Sequence, residues 1–399
     1  MEVGIFYAPV IGPASALERG MAGQSTELYQ TMLANLVEQA RYLDAHHYYG
    51  VAFTEHHLHV EGITVSNNPV MLDQYIAART QHIRVGQLGL VLPPSNPLRV
   101  AEDIAVLDQM TGGRAFAGFA RGIQSRWVNI LGQHLPGLAD NLTDPAAYER
   151  AKREIYGECI DIIKLAWTQP TFSYQGKYWQ IPVPNIDWPA RDLSRQIGGG
   201  IDAQGRVTEV GIAPQPFQKP YPPLFEPFGF SEETVETAAS RGLIPVAILT
   251  DKSLLQGQIR AAQRGYGNSG RQLPLGAGMG IAREIVVADT EEEAWRLGRL
   301  ASWEWTNFFS RFGFNAVLAH PGEDYRGIPN TWEAQVERGF ACCGTPDSVT
   351  RQLEAMLKDA EVEYLWLFTH GELMPQPAVM RHFELLTEKV LPRFDTRIR

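Results

Sequence analysis

The sequence is poor in cysteine and has no long apolar run, and each shortage excludes a class of protein. Only three of its 399 residues are cysteines, Cys159, Cys342 and Cys343, and no Cys-x-x-Cys pair occurs. Because neighbouring cysteines rarely bond to each other, neither a disulfide framework nor a thiolate zinc site is predicted. No stretch reaches the roughly 18 to 20 apolar residues that a membrane-spanning helix needs. The N-terminus lacks the features of a secretory signal, so we expect a cytoplasmic protein.

Positive charge is also scarce, and it is not concentrated anywhere. The formal net charge is −10 at pH 7, and the acidic residues are dispersed along the chain. Without a basic stripe, neither nucleic acid nor an anionic membrane is expected as a partner. Hydrophobic residues make up 44% of the chain and charged residues 20%, which is typical of a globular protein with a sizeable core.

Short apolar segments alternate with amphipathic segments almost to the end of the chain. Helical periodicity is clear over Glu27–His46, for example. Eight strands are predicted, at Val3–Tyr7, Gly50–Thr54, Ile83–Leu92, Arg114–Ala120, Pro223–Pro227, Leu243–Thr250, Met279–Ala288 and Val362–Thr369. Eight strands with helices between them indicate an α/β fold, the (β/α)8 barrel of the TIM type. An open doubly wound sheet is the alternative, but the glycine-rich turn that normally follows its early strand is missing.

Two regions interrupt this alternation. Residues 171–215, between the fourth and fifth strands, contain a tyrosine-rich segment and three consecutive glycines and are predicted as a β-hairpin excursion. Residues 312–342 contain proline-rich turns and are predicted to be irregular. Long loops of a compact domain often form lids or binding segments, so either region could cover a site. We expect one domain over residues 1–399.

A cluster of acidic and imidazole side chains, Glu55-His56-His57-Leu58-His59, follows the second predicted strand. If the strand continues, Glu55, His57 and His59 share one face and could bind a metal, while His56 points to the other. A metal-dependent barrel hydrolase also needs an aspartate after its last strand, and here that strand runs into His370. A proton-transferring site beside a substrate is therefore favoured over a metal site, with strand-capping histidines as the third possibility.

Two later segments carry groups suited to an anion. Arg121 follows the fourth predicted strand, and its guanidinium offers a planar set of donors to phosphate or carboxylate. Gly229-Phe230-Ser231 leads into a predicted helix whose first turn carries Ser231 and Thr234. Helix N-termini bind phosphate through free N–H groups, although Ser231 could equally be only an N-cap.

Proline marks the end of the third predicted strand and the start of two helices. The loop Leu92–Pro97 has three prolines; it is stiff and could hold an unusual peptide bond against a flat ligand. The helix Leu98–Met110 should follow it and stop at the glycines 112 and 113. A later helix should begin at Thr345-Pro346-Asp347, with the Thr345 hydroxyl as its cap.

Taken together, these segments resemble the bacterial luciferase-like monooxygenase family, whose members are (β/α)8 flavin-dependent enzymes. The segments occur in the family's order and nearly at its spacing over residues 1–250, and the resemblance is less specific beyond them. They are Phe53–His57, Pro97–Asp103, Leu107–Arg114, Ala120–Gly122, Gln218–Pro223, Ser231–Thr234 and Ala238–Gly242.

The resemblance implies an FMN-dependent monooxygenase that oxidises a small organic substrate with O2 through a flavin hydroperoxide. The reduced flavin, FMNH2, would come from a separate flavin reductase, and a homodimer is expected. An apolar or aromatic substrate is compatible with Trp179, Trp188 and Trp332 in or beside the two insertions, unless these rings only pack the insertions onto the barrel. A deazaflavin-dependent hydride-transfer enzyme and a flavin-binding protein without catalysis are the alternatives.

The resemblance also assigns roles to individual residues. His56 would be the acid–base catalyst, because an imidazole with the ordinary pKa near 6.5 can transfer protons either way at neutrality. Glu55 and His57 complete its motif. No metal ligand is expected.

The family's cofactor positions can be carried over in the same way. Arg121, Ser231 and Thr234, next to Gly229 and Phe230, would hold the phosphate of FMN, while Leu92 and Pro93 would pack against its isoalloxazine. Two departures stand out in the sequence. Ala120 lies where light-emitting members carry a reactive cysteine, which argues against light emission, and Phe230 replaces a polar neighbour of the phosphate.

Overall fold

The computed structural model describes residues 1–358, 360–369, 371–396 and 398. The chain forms two compact units. The first consists of Met1–Leu90, Phe116–Phe119 and Pro223–Arg399, and the second of Val91–Ala115 and Ala120–Pro222. That residues 1–399 act as one domain stays a prediction. In the described part of the chain, no helix is both long enough and apolar enough to cross a membrane.

The strands confirm the predicted barrel. They are β1 (Glu2–Tyr7), β2 (Gly50–Phe53), β3 (Arg84–Gln87), β4 (Leu90–Val91), β5 (Ala115–Ala120), β6 (Tyr174–Gln175), β7 (Gln180–Ile181), β8 (Leu224–Pro227), β9 (Ile244–Ala247), β10 (Gly280–Val287), β11 (Ala341–Gly344) and β12 (Tyr364–Thr369). Eight of them follow one another in the order β1-β2-β3-β5-β8-β9-β10-β12. The parallel pairing of β12 with β1, in which Ile5 lies opposite Leu367, closes the barrel.

Helices connect most of these strands. They are α1 (Ala14–Glu18), α2 (Thr26–Ala45), α3 (Pro69–Ala77), α4 (Pro97–Met110), α5 (Ser125–Leu131), α6 (Pro145–Thr168), α7 (Arg191–Ile197), α8 (Glu232–Ser240), α9 (Lys252–Asn268), α10 (Glu291–Ala301), α11 (Trp303–Asn307), α12 (Trp332–Glu337), α13 (Pro346–Leu357) and α14 (Gln376–Leu385). The predicted stop of α4 is confirmed, since Gly112 and Gly113 both adopt positive φ angles of 63° and 88°.

The interior of the barrel is filled by aromatic rings. Phe116, Phe225 and Trp366 are each 0% exposed and belong to one buried cluster. Their rings pack edge to face, with centroids 5.5 Å apart for Phe116 and Phe225 and 5.7 Å apart for Phe225 and Trp366. A Cβ at Gly4 would overlap the Trp366 ring, and one at Gly86 would overlap Phe116. Glycine at these inward positions therefore makes room for the rings.

The third predicted strand is wrong in its continuity. It is divided into β3 and β4 by a cis peptide bond between Leu88 and Gly89. A Cβ at Gly89 would lie 2.9 Å from the carbonyl oxygen of Gly118, so the backbones pass too close for a side chain. The proline loop predicted to hold an unusual bond does not hold one: within the described ranges, the other cis bonds precede Pro182, Pro214 and Pro220.

The two interruptions of the barrel pattern have different outcomes. The predicted hairpin is confirmed by the antiparallel pair β6 and β7, but residues 171–215 also contain the unpredicted helix α7. Residues 312–342 begin with short 3₁₀ turns, as expected. Their last part contains α12 and the start of β11, so the irregular prediction is wrong there. Both elements are only four to six residues long, too short for a periodic pattern to be recognised.

The start of α13 is predicted correctly, but its cap is not. Thr345 occupies the N-cap position, yet its side chain accepts no hydrogen bond from the helix. Its hydroxyl instead donates to Oε1 of Glu291, 2.9 Å away, and its backbone N–H donates to the same atom at 3.2 Å. The Thr345 hydroxyl thus binds a carboxylate on α10, although the sequence pattern predicts that it caps α13.

Candidate functional site

The Glu-His-His cluster lies in a loop and not on a strand. β2 ends at Phe53, and Leu58 has a left-handed φ of 63°. The expected alternation, with Glu55, His57 and His59 on one face, is therefore wrong, because it requires an extended backbone. The loop returns to its own start through Thr54, whose hydroxyl lies 2.7 Å from that of Ser66, and both residues are buried.

His56 and His59 stack on each other at the carboxyl end of β2. Their ring centroids are 5.6 Å apart and their planes differ by 9°. Nδ1 of His59 lies 2.6 Å from the carbonyl oxygen of Ile63 and 2.9 Å from the Thr64 hydroxyl. Because a carbonyl can only accept, Nδ1 of His59 carries a proton. A fixed imidazole therefore supports one side of His56.

The protonation of His56 differs from the expectation. Burial, reinforced by the neighbouring imidazoles of His59 and His57, lowers the pKa of His56 to about 3. The ring is therefore neutral at pH 7, with one nitrogen that donates and one that accepts. An ordinary pKa near 6.5 does not hold for this environment. An anion bound beside the ring would favour the charged form and raise the pKa again.

Glu55 and His57 form a pair of their own. Nε2 of His57 lies 3.0 Å from Oε1 of Glu55, and their side chains are 21% and 11% exposed. Such a carboxylate orients an imidazole and determines which nitrogen is protonated. Nδ1 of His59 donates to the carbonyl oxygen of Ile63 instead of serving as a metal ligand. Among the described residues, no three histidine, cysteine, aspartate or glutamate side chains are grouped to hold a metal ion. His370 lies outside the described residues.

Phenylalanines, which sequence reasoning missed, lie against the stacked histidines. The ring of Phe309 is 6.2 Å from His56, and that of Phe308 is 5.3 Å from His59. Phe312 packs on Phe308 at 5.1 Å and is 42% exposed. The sequence did carry a signal, because four of the seven residues 308–314 are phenylalanines. The tryptophans were a poorer guide: Trp332 is 1% exposed and packs against α10 at Gly298.

The predicted phosphate turn follows β8 in the first unit. Phe228 has a left-handed φ of 64°, and the Gly229 carbonyl accepts from Nε2 of Gln258 on α9 at 2.7 Å. Ser231 caps α8, since its Oγ accepts from the N–H of Thr234 at 3.2 Å. The two hydroxyl groups are 3.0 Å apart. The N-cap interpretation is therefore correct, and the same geometry brings both hydroxyls to one helix end.

The electrostatics of this turn are mixed. α8 carries Glu232 and Glu233 in its first turn, which opposes an approaching anion. Arg264 on α9 offsets part of this charge through contacts of 3.0 Å with both Glu232 and Glu236. Phe230 is 47% exposed and contributes an apolar surface at the turn.

The other proposed cofactor residues belong to the second unit. Arg121 follows β5 and is half-buried; no described residue forms a hydrogen bond or ion pair with its guanidinium. Leu92 and Pro93 are buried. The Leu92 N–H donates to the Ala120 carbonyl at 3.1 Å, and the Leu92 carbonyl accepts from the Cys159 thiol at 3.8 Å. A half-buried cation without a counter-charge suits an anionic ligand.

Known proteins resemble this chain over nearly its whole length. A family model described as "Luciferase-like monooxygenase" matches residues 1–363. An FMNH2-dependent dimethylsulfone monooxygenase of Pseudomonas putida is 24% identical over 74% of this chain and 72% of its own length. The oxygenase component of a flavin-dependent trigonelline monooxygenase from Acinetobacter baylyi is 24% identical over 64% of this chain and 59% of its own.

A solved structure shares the fold. The oxygenating constituent of 3,6-diketocamphane monooxygenase from Pseudomonas putida, a type II Baeyer–Villiger monooxygenase in complex with FMN, superposes with a TM-score of 0.74. The match covers 99% of this chain and 98% of that chain at 20% sequence identity.

Proposed function

The chain belongs to the luciferase-like monooxygenase family, and from this premise we propose that it oxidises a small organic substrate with O2 and reduced FMN. The observation that carries the proposal is the loop after β2, where His56 is stacked on the fixed ring of His59 and flanked by Phe309. A storage protein needs no such imidazole. The carboxyl ends of barrel strands are also where enzymes with this fold bind their ligands.

The residues present fit a flavin phosphate. In the second unit, Arg121 is half-buried and no described residue pairs with its guanidinium. In the first unit, Ser231 and Thr234 present two hydroxyls at the N-terminus of α8. We propose that Arg121, Ser231 and Thr234 bind the phosphate, with Gly229 and Phe230 beside it, and that Leu92 and Pro93 border the ring system. When bound, reduced FMN supplies the electrons that activate O2.

His56 holds and moves a proton beside the reacting groups in this proposal. Its ring is neutral at pH 7 because burial lowers its pKa to about 3. One ring nitrogen can then accept a proton from the reacting centre while the other donates a hydrogen bond. The Glu55–His57 pair, 3.0 Å apart, fixes the adjacent part of the loop. Phe308 and Phe309 exclude water, which suppresses unproductive release of peroxide.

A separate flavin reductase is the partner we propose, because one relative is described as an oxygenase component and another as FMNH2-dependent. We also propose a homodimer and a cytoplasmic location. The substrate class proposed is an apolar or aromatic small molecule, which the phenylalanines at 308 and 309 would accommodate.

The test begins with anaerobic titration of the purified protein with photoreduced FMN. O2 uptake and hydrogen peroxide yield are then measured with benzaldehyde, cyclohexanone, decanal and dimethylsulfone. We expect tight binding of reduced FMN and, with at least one compound, oxygenated product and less peroxide per O2 consumed. Binding without product from any compound would support flavin storage. Reduction of a deazaflavin by an alcohol, without O2 uptake, would support hydride transfer.

Variants of the histidine loop test the role of His56 separately. His56→Ala should bind reduced FMN within about twofold of wild type while losing about 100-fold in product formation, the usual range for an acid–base group. His57→Ala is the matched control from the same loop and should lose less, because it acts through orientation. Equal losses in the two variants would contradict the assignment of His56.

A further inference from the structure

A lysine lies within the buried stripe of α6. Lys152 is 5% exposed and shares this side of the helix with Tyr148, Ile155 and Cys159, which are buried as well. Lysine almost never occupies such a position unless its charge is paired, because removing an ammonium group from water is costly. Its location in an otherwise apolar stripe therefore needs a reason beyond the stability of the helix.

The ammonium group of Lys152 holds a particular backbone atom. Nζ donates to the carbonyl oxygen of Gly122 at 3.0 Å, 30 residues earlier in the chain. Its other partner is the carboxylate of Glu149 at 2.8 Å, which is 58% exposed. The ring of Tyr148 lies 4.9 Å from Nζ, and Tyr148 is itself held by a 2.7 Å hydrogen bond to Asn129. These contacts determine the position of the ammonium group.

Gly122 is the residue after Arg121, and its backbone conformation is constrained as well. Its φ of 74° lies in the left-handed region. A Cβ there would lie 2.6 Å from Cγ1 of Val91 and 2.9 Å from Cγ2 of Val128. The turn therefore packs closely against two valines and is held by a hydrogen bond from Lys152. This clamp controls where the backbone of Arg121 starts and hence where its guanidinium can reach.

The balance of charge favours an anion at this turn. Lys152 is partly neutralised by Glu149, which is mostly in water, whereas no described residue pairs with Arg121. Lys152 binds the carbonyl oxygen of Gly122, the residue after Arg121, so two cationic side chains are connected to the same backbone turn. A half-buried guanidinium that pairs with no described residue is stabilised by a phosphate-like anion.

We propose that Lys152 is the positioning residue of the Arg121 anion site and that it makes the protein prefer a phosphorylated ligand over the same ligand without phosphate. The identification of that anion as the phosphate of FMN rests on the proposed function. Lys152 does not touch the anion in this proposal; it acts by holding the carbonyl of Gly122 and by adding positive potential behind Arg121.

The experiment compares three probes on the full chain: oxidised FMN, riboflavin and inorganic phosphate, with binding measured by calorimetry and flavin fluorescence. Lys152→Met should weaken FMN by about tenfold or more, as expected for loss of a hydrogen bond from a charged donor. Riboflavin binding should stay within about twofold, and the salt dependence of FMN binding should become shallower. Lys152→Arg should restore most of the preference for FMN.

Arg153→Gln is the matched control, because Arg153 is exposed on the same helix and its removal changes the net charge equally. It should leave both flavins unchanged. Circular dichroism and thermal unfolding verify that each variant is folded; if Lys152→Met is not, Lys152→Gln gives the same comparison.

The outcomes separate this inference from the proposed function. Equal weakening of FMN and riboflavin in the Lys152 variants, or no weakening of either, overturns the inference while leaving a flavin enzyme. A wild-type protein that binds inorganic phosphate in a Lys152-dependent way but binds no flavin overturns the proposed function and supports the anion site. A wild type that binds none of the three overturns both.

Discussion

The two insertions of the barrel look alike in sequence and differ in what they bury. In residues 171–215, all residues of α7 are described and none of them is buried; Trp188 is 44% exposed and Ile197 75%. In residues 312–342, Trp332 is 1% exposed and Val317 0%. The second insertion therefore forms part of the core of its unit, whereas the first is mostly surface.

Proline, glycine and tryptophan in a long connection therefore do not by themselves indicate a lid. Val317, Ile328 and Ala334 of the second insertion pack with Trp305 and Phe340 in one buried cluster. Phe309, which lies 6.2 Å from His56, is just before this insertion in the chain. In the first insertion, isolated bridges such as that between Phe172 and Val210 hold the segment together. The degree of burial therefore distinguishes the second insertion, which is part of the core, from the first, which lies mostly at the surface.

The largest expected effect is on stability. Trp332→Ala should lower the free energy of unfolding by about 3 to 5 kcal/mol, because the cavity would lie against Gly298 in a well-packed region. Trp188→Ala, its counterpart in the first insertion, should cost less than about 1 kcal/mol, since it loses mainly an exposed hydrogen bond to Ser194. Urea unfolding of both variants gives the comparison. Similar costs would mean that the two insertions are equally integrated.

The next expected effect is on the reaction. Phe309→Ala should lower kcat/KM for an apolar substrate by about tenfold, because we propose that the ring beside His56 contacts the substrate and excludes water. Binding of FMN should not change. Trp188→Ala serves as the control from the first insertion and should leave kcat/KM unchanged. If Trp188→Ala proves the more damaging substitution, the first insertion is the lid.

Acidic pH should lower the free energy of unfolding of the unit that contains the second insertion. Burial lowers the pKa of His56 to about 3 and that of His382 to about 4, below the value near 6.5 of an unfolded chain. Below pH 6.5 the unfolded state binds protons that the folded state does not, so stability falls as pH drops towards 4 and is unaffected above 6.5. His382→Gln should reduce this slope in unfolding measured from pH 7 to 4.5. A slope unchanged in that variant would contradict the buried neutral state of His382.

The smallest effect concerns the side-chain pair of His320, in the second insertion, and Asp251. His320 lies 2.8 Å from Asp251, which caps α9, and its side chain is 60% exposed. His320→Ala should change the free energy of unfolding by less than about 1 kcal/mol, as exposed pairs do. Asp251→Ala should cost about 1 kcal/mol because the N-cap is also lost. A larger cost for His320→Ala would show that the His320–Asp251 pair, and not the buried cluster, stabilises the insertion.

Much of the barrel is readable from sequence because each strand leaves a short apolar run between helical periods. The split between β3 and β4 is not readable, since it depends on the close approach of Gly89 to Gly118. The end of β2 at Phe53 is hidden for another reason: the alternating residues after it suit a strand as well as a loop.

The candidate site was only partly accessible in the same way. The histidine loop and Arg121 stand out as residue types that suit chemistry, but the neutral state of His56 arises from its burial in the folded chain. The phenylalanines at 308–314 form a cluster in the sequence. They cannot be connected to the histidine loop from the sequence alone, because nothing in it indicates which strand end they cover. Lys152 is similarly concealed, since its partner Gly122 is 30 residues away.

The aromatic filling of the barrel has a consequence for ligand traffic. Phe116, Phe225 and Trp366 close the interior as a plug, and the glycines at 4 and 86 leave no slack around their rings. Molecules therefore cannot pass through the barrel from one end to the other. A ligand that binds at the carboxyl ends of the strands must also leave from that end. Ligand entry and ligand release therefore use the same opening.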